Sequence, residues 1–181
     1  MRITGGTLRS RRLLSTESEK LRPATDRLRE TMFNILSNML DMEGISALDL
    51  YAGTGSVGFE TISRGAGRVV FVESDRKIAA VIGQNADSLG VKDRCEIRIM
   101  KAERYLEEAQ ETFDIAYVDP PYAYNSRTHE IIAGMMRKGI VNDKGIICVE
   151  HSKNYCPPPS IVVRQKVFGA TILTFIKPEK K

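Results

Sequence analysis

Apolar residues recur at three- and four-residue intervals between Thr25 and Leu40. Leu28, Met32, Phe33, Ile35, Leu36, Met39 and Leu40 form one stripe, and Thr25 or Asp26 stands where a helix cap belongs. The spacing predicts a helix over that stretch. Downstream, short apolar runs near 46–51, 68–73, 94–99, 113–119 and 145–150 read as buried strands, separated by helical patterns at 56–64, 76–88, 102–109 and 127–137. Such alternation predicts an α/β fold, a doubly wound and mostly parallel sheet with helices on both faces. The end of the chain differs, because Ile161–Val167 and Ala170–Ile176 are β-rich segments joined around Gly169. They read as a closing hairpin that leaves one antiparallel strand in the sheet. Pro157-Pro158-Pro159 marks a loop, no internal repeat is visible, and 181 residues suit a single domain over 1–181.

The strand ends carry the chemistry. Ile115-Ala116-Tyr117-Val118 closes on Asp119-Pro120-Pro121-Tyr122, which delivers a carboxylate, a stiff turn and an aromatic face at a strand's carboxyl end. Open α/β sheets place their ligands there. The prolines lack N–H donors, and Pro120 biases Asp119 away from the helical region, so the local carbonyls want an external donor. A planar amino group on a nucleobase supplies two hydrogens, one for Asp119 and one for the Pro120 carbonyl, with Tyr122 stacked on the base for roughly 1 to 3 kcal/mol. Two acceptors that draw those hydrogens out of the base plane free the nitrogen lone pair, which is what methyl transfer to an exocyclic amine needs. Asp-Pro-Pro is also ordinary turn chemistry, with Tyr122 capping a core.

A second motif lies upstream. Ala47-Leu48-Asp49-Leu50-Tyr51 is an apolar strand with an acid inside it, followed at once by Gly53-Thr54-Gly55-Ser56-Val57-Gly58 and a helical stretch. Strand, glycine turn and helix is a nucleotide-cofactor opening. The next strand, Val69-Val70-Phe71-Val72, ends in Glu73, 20 residues after Gly53, the spacing of a carboxylate that grips a ribose diol. The same loop satisfies the dinucleotide fingerprint, so an NAD(P)-dependent oxidoreductase competes. Asp49 argues against it, since a carboxylate before the glycines suits a cationic ligand; a satisfied structural acid is the plain alternative.

Leu48-Asp49-Leu50-Tyr51-Ala52-Gly53-Thr54-Gly55, Ser63-Arg64-Gly65-Ala66, Glu73 and Asp119-Pro120-Pro121-Tyr122 together resemble the class I S-adenosylmethionine-dependent methyltransferases. Within that class the chain is similar to the bacterial family that methylates guanine N2 in 16S ribosomal RNA. Arg22-Pro23-Ala24-Thr25-Asp26-Arg27-Leu28-Arg29-Glu30 and Arg2-Ile3-Thr4-Gly5-Gly6 tie it to that branch, and the likeness runs over nearly the whole chain in order. The resemblance implies a Rossmann-like core over 25–181 and an S-adenosylmethionine site at Asp49, Ala52, Gly53, Thr54, Gly55, Glu73, Ser74, Ala102 and Asp119. It implies a catalytic turn at Asp119, Pro120, Pro121 and Tyr122, and a partner in the small ribosomal subunit or its assembly intermediate. Three positions depart from the family pattern. Ser10 replaces a glycine, Ala24 a threonine, and Lys101-Ala102-Glu103 an adenine-reading aspartate, so backbone groups around Ala102 are left to read adenine.

Charge points to the same partner independently. The chain holds 27 Lys and Arg against 23 Asp and Glu. Residues 1–30 hold eight basic and four acidic residues, which leaves 27 − 8 = 19 basic against 23 − 4 = 19 acidic elsewhere, so the excess is amino-terminal. A basic segment over 1–24, with Arg9, Arg11, Arg12 and Arg22, fits a polyphosphate backbone, and Arg27 and Arg29 on the first helix extend the set. A solvated, mobile terminus is the alternative. Cys95, Cys148 and Cys156 lack paired metal spacing and read as reduced thiols of a cytoplasmic protein. His129 and His151 have no ligand companions, so no metal is expected, nor is an obligate protein partner; there is no long apolar span and no secretory leader. Two further readings stay open, a DNA amino methyltransferase and a non-catalytic RNA-binding domain.

Overall fold

The protein is described here from a computed structural model that covers residues 1–15, 25–121, 127–153 and 155–178. Its elements are α1 (Thr25–Leu36), β1 (Ser46–Asp49), α2 (Ser56–Ser63), β2 (Arg68–Glu73), α3 (Arg76–Leu89), β3 (Cys95–Ile99), α4 (Ala102–Glu108), β4 (Phe113–Val118), α5 (Thr128–Lys138), β5 (Val141–Ser152), β6 (Val162–Phe168) and β7 (Thr171–Ile176). The strands form one sheet in the order β3-β2-β1-β4-β5-β7-β6. β1 to β5 run parallel, and β7 lies antiparallel between β5 and β6. The predicted hairpin is therefore present, and its second strand is the one wedged into the sheet.

Two apolar layers sandwich the sheet. α1, α2 and α3 cover one face through Phe33, Leu36, Phe59, Ile62, Ile82 and Leu89. α4 and α5 cover the other through Tyr105, Leu106, Ile131, Ile132 and Met135. The central strands β1, β2 and β4 and the 145–149 run of β5 are buried on both sides, which is why they read as unbroken apolar runs and not as alternating ones, whereas the edge strands β3 and β6 are half-buried to exposed.

Two element boundaries differ from the sequence pattern, each for a local reason. The stripe predicts a helix to Leu40, but α1 stops at Leu36. Beyond it the Ser37 hydroxyl donates to the Phe33 carbonyl and the Asn38 amide to the Asn34 carbonyl, so short polar side chains compete for the helix's own acceptors. Strand β5 begins at Val141, not near 145. Its pairing jumps from Phe113↔Val141 to Ile115↔Ile146, and the Asn142 amide donates to the Asp114 carboxylate inside that bulge. The polar run Asn142-Asp143-Lys144, which precedes the predicted strand, is folded into it.

The amino-terminal segment is docked. Arg2 and Arg12 form an antiparallel bridge, and Ile3 and Leu13 are buried in the core of α1 to α3. The Thr7 N–H donates to the Ser63 carbonyl and the Leu8 N–H to the Ser63 hydroxyl. Gly6 has φ 76, and a Cβ there would lie 1.8 Å from the Ser63 carbonyl oxygen, so the segment seats against α2 only with glycine at that position. For residues 1–15 the mobile-terminus reading is thereby overturned.

Candidate active site

Strand register gathers the site. Asp49 pairs with Phe71 of β2 and Tyr117 of β4, and the side chains of all three point toward the layer of α1 to α3. Side chains alternate along a strand, so Glu73 and Asp119, two residues past those partners, point to the same face one pleat repeat nearer the carboxyl edge. On β5, Val149 pairs with Val118, which brings Glu150 alongside Asp119. The cross-strand partner of Glu150 is Leu173, buried in that same layer. Four acids thus line one side of the carboxyl edge on the adjacent strands β2, β1, β4 and β5. β1 and β4 flank the point where the strand order reverses, the place where doubly wound sheets bind ligands.

Asp49 is 4 % exposed, and its Oδ2 accepts the Gly58 N–H at 3.0 Å. It serves as an acceptor for the first turn of α2, whose own preceding residue, Gly55, offers no side-chain cap. So part of the structural alternative holds. One backbone bond does not offset the burial, and Asp119 and Glu73 add like charge. The carboxyl pKa is pushed up to about 7, chiefly by burial and then by those two neighbours. A cation brought to this edge relieves that cost.

The loop between β1 and α2 is held open by its glycines and by side chains from elsewhere. Gly53 and Gly55 have φ of 54 and 86, the left-handed region, and a Cβ on Gly55 would approach the Phe59 ring to 2.7 Å. Glu73 accepts the Gly53 N–H at 3.0 Å on one oxygen and the Asp75 N–H at 2.8 Å on the other. The acid expected to grip a ribose diol therefore also fixes the loop. Ser74 is exposed beside it, Ala52 and Thr54 are buried, and the Ala52 N–H donates to the Val72 carbonyl. Ala102 opens α4, and its side chain is packed in the opposite core, so only its backbone can meet a ligand.

At the end of β4, Asp119 is exposed, Pro120 buried and Pro121 exposed. Tyr122, predicted to stack on the base, lies outside the described residues, as do Arg22 and Ala24. Of the predicted RNA contacts, Arg9, Arg11, Arg12 and Arg27 are exposed. Arg29 requires a correction. It is 2 % exposed, and its guanidinium donates to Glu60, Asp26 and the Arg2 carbonyl inside the protein. Buried charges are retained when paired, and Arg29 is spent on holding α1, α2 and the amino-terminal segment together.

Fold and site together define the class: an S-adenosylmethionine-dependent methyltransferase of class I. The chain belongs to the family described as conserved hypothetical protein 95, whose model matches residues 1–177. It is similar to ribosomal RNA small subunit methyltransferase D of Haemophilus influenzae, at 32 % identity over 157 residues, 85 % of this chain and 80 % of that one. The Escherichia coli (strain K12) protein of the same name is 33 % identical over 150 residues, 83 % of this chain and 74 % of its own. Among solved structures, that of yhhF from Escherichia coli superposes with a TM-score of 0.88 at 30 % identity, over 100 % of this chain and 99 % of that one.

Three residues that matter here escape motif reading. Glu150 ends the apolar run Ile146-Val149 as Glu73 and Asp119 end theirs, so an acid closing a buried strand was the available signal. Glu60 follows the apolar Phe59, and Asn85 lies three residues after Ile82 and four before Leu89, so each is a polar residue at an apolar helical position, which signals a partner without saying which. Their partners come from segments distant in sequence.

Proposed function

We propose that this chain transfers a methyl group from S-adenosylmethionine to the exocyclic N2 of a guanine in the 16S ribosomal RNA of the small subunit, in the cytoplasm. The observation that carries the reading is the set of acids on one side of the carboxyl edge, with Asp119-Pro120 at its switch point. Asp49 and Glu73, with the backbone from Ala52 to Gly55 and around Ala102, are the residues that would hold the donor. When bound, S-adenosylmethionine supplies an electrophilic methyl group on a positively charged sulfur. A negative edge with a carboxyl held near 7 suits that charge.

The chain's own part begins with the target amine. The Asp119 carboxylate and the Pro120 carbonyl accept its two hydrogens, and Tyr122 stacks on the ring. The nitrogen lone pair would thereby be turned out of conjugation toward the methyl carbon; as the nitrogen–carbon bond formed, the carbon–sulfur bond would break with its electron pair left on sulfur, and Asp119 or water would take the proton released. Guanine is favoured by a neighbour of Asp119. Beside its amino group guanine carries an N1–H donor, where adenine and cytosine carry a lone pair. A carboxylate at Glu150 accepts the first and repels the second. The amine of a paired guanine is occupied, so the target base sits in a loop or is flipped out. The exposed arginines at 9, 11, 12 and 27 supply phosphate contacts.

The test incubates the protein with radiolabelled donor and small subunits from cells that lack it, with duplex DNA in parallel, followed by mass spectrometry of the nucleosides. N2-methylguanosine in the small-subunit RNA is the expected product, and Glu150→Ala should lower kcat/KM roughly 10- to 100-fold, the worth of a hydrogen bond to a charged group. Methylated adenosine, or label on DNA alone, would overturn the substrate assignment.

A further inference from the structure

Asn85 stands on the apolar side of α3 between Ile82 and Leu89 and is 1 % exposed. Its Oδ1 accepts the Leu14 N–H at 2.8 Å, and its Nδ2 donates to the Leu14 carbonyl at 3.1 Å and to the Thr54 carbonyl at 3.1 Å. One amide satisfies both backbone groups of Leu14, as a neighbouring strand would, and spends its second hydrogen on the loop between the two left-handed glycines. A side-chain amide has two donors and one acceptor oxygen, so these three partners also fix which way it points.

The loop from Gly53 to Gly58 therefore has anchors from three elements: Glu73 at the Gly53 N–H, Asp49 at the Gly58 N–H and Asn85 at the Thr54 carbonyl. Glu73 and Asp49 face the donor site. Asn85 reaches the same loop from α3 and also holds Leu14 of the basic segment. The same segment reaches α3 a second time, where the Arg11 guanidinium donates to the Ser88 carbonyl at 2.7 Å.

We propose that Asn85 is a positioning residue that couples the basic amino-terminal segment to the donor loop, so that RNA held by Arg9, Arg11 and Arg12 tightens donor binding through Leu14 and Thr54. The inference rests on the reading of that segment as an RNA contact. RNA bound to the docked segment stabilises the arrangement in which one amide holds both Leu14 and Thr54. Donor that needs the same loop arrangement then binds more tightly. Linkage makes the effect reciprocal, so bound donor must tighten RNA by the same factor.

The experiment measures the dissociation constant of S-adenosylhomocysteine, which cannot turn over, with and without saturating unmethylated small subunits. The wild-type protein should bind it at least about 5-fold tighter with subunits present. In Asn85→Ala that ratio should fall to near one. Should Asn85→Ala fail to fold, Asn85→Asp serves, because it keeps the acceptor for the Leu14 N–H and loses both donors. Ile82→Val, a comparable loss of packing on the same helix, should keep the wild-type ratio, which separates positioning from general loosening. A wild-type ratio of one, or an undiminished ratio in the Asn85 variants, would overturn the proposal. The triple variant Arg9→Ala, Arg11→Ala, Arg12→Ala distinguishes the two layers. If its affinity for subunits and its salt dependence are unchanged, the RNA reading of the segment fails and the coupling goes with it; if affinity falls and the Asn85 variants still couple, only the coupling fails.

Discussion

Asp49 and Glu60 lie 11 positions apart, both buried and both on the α1-to-α3 side of the sheet, yet their surroundings are opposite. Glu60 accepts from the Thr4 N–H and hydroxyl at 2.7 Å each, from Arg64 at 3.0 Å and from Arg29 at 3.4 Å. Arg64 in turn lies 5.0 Å over the Phe33 ring. Asp49 has the Gly58 N–H and, on either side, two more acids. The first carboxylate is saturated by cations and donors from three segments, and it holds a scaffold together. The second is left short of positive charge at a sheet edge open to ligand. In this molecule it is the unmet demand of a buried acid, and not its burial, that separates the candidate site from the scaffold.

The contrast can be broken from the Glu60 end first. Glu60→Ala removes the carboxylate shared by the buried Arg29 and the half-buried Arg64 and should cost about 3–5 kcal/mol, read from the urea midpoint at constant m-value. A loss below about 1 kcal/mol would mean that the network is incidental. At the site, Asp119→Ala should lower kcat by roughly 10²–10³-fold, the usual loss when one preorganised transition-state contact is removed. Affinity for S-adenosylhomocysteine should stay within about threefold, since a factor that small is under 1 kcal/mol. An equal loss of both would place Asp119 in donor binding instead.

The charge deficit at Asp49 sharpens the comparison through pH. Its carboxyl is held up at about 7 in the folded chain against 3.8 for the ordinary group. Between those values the unfolded chain has lost a proton that the folded chain keeps. The contribution of Asp49 to stability without donor therefore falls as pH rises from about 4 to about 7, by roughly 1.4 kcal/mol per unit, and levels off above. Asp49→Asn keeps an acceptor for Gly58 and removes the charge. In thermal melts without donor the variant should match the wild type near pH 4 and exceed it at pH 8, while losing donor affinity. The smallest effect is expected at Ser10, which holds φ 68, a conformation that L-residues adopt at a cost. Ser10→Gly should raise stability by about 1 kcal/mol or less, because glycine's extra freedom in the unfolded chain offsets part of the relief.

Ser10 also shows what a sequence reader can extract from a departure. The resemblance leads one to expect glycine there, and the left-handed backbone of Ser10 in the turn between Ile3 and Arg11 is a conformation that suits glycine. The strands and the acids that close two of them, Glu73 and Asp119, were legible because burial on both faces leaves an unmistakable apolar run and an acid at its end breaks it. The limits of α1 and β5 were not, since Ser37, Asn38 and Asn142 act through hydrogen bonds that propensity cannot weigh.

Local pattern determined by itself the alternation of strands and helices, the glycine loop, the turn at Asp119 and the excess of positive charge at the amino terminus. These depend on residues within a few positions of one another, where period, stiffness and charge are written directly. Tertiary structure alone decided that Arg27 faces solvent while Arg29, two positions on, is buried against Glu60. It decided too that Glu150 joins Asp119 and that Asn85 ties Leu14 to Thr54. Those outcomes turn on pairings 31 to 71 residues apart, and no local signal carries the identity of a partner that far.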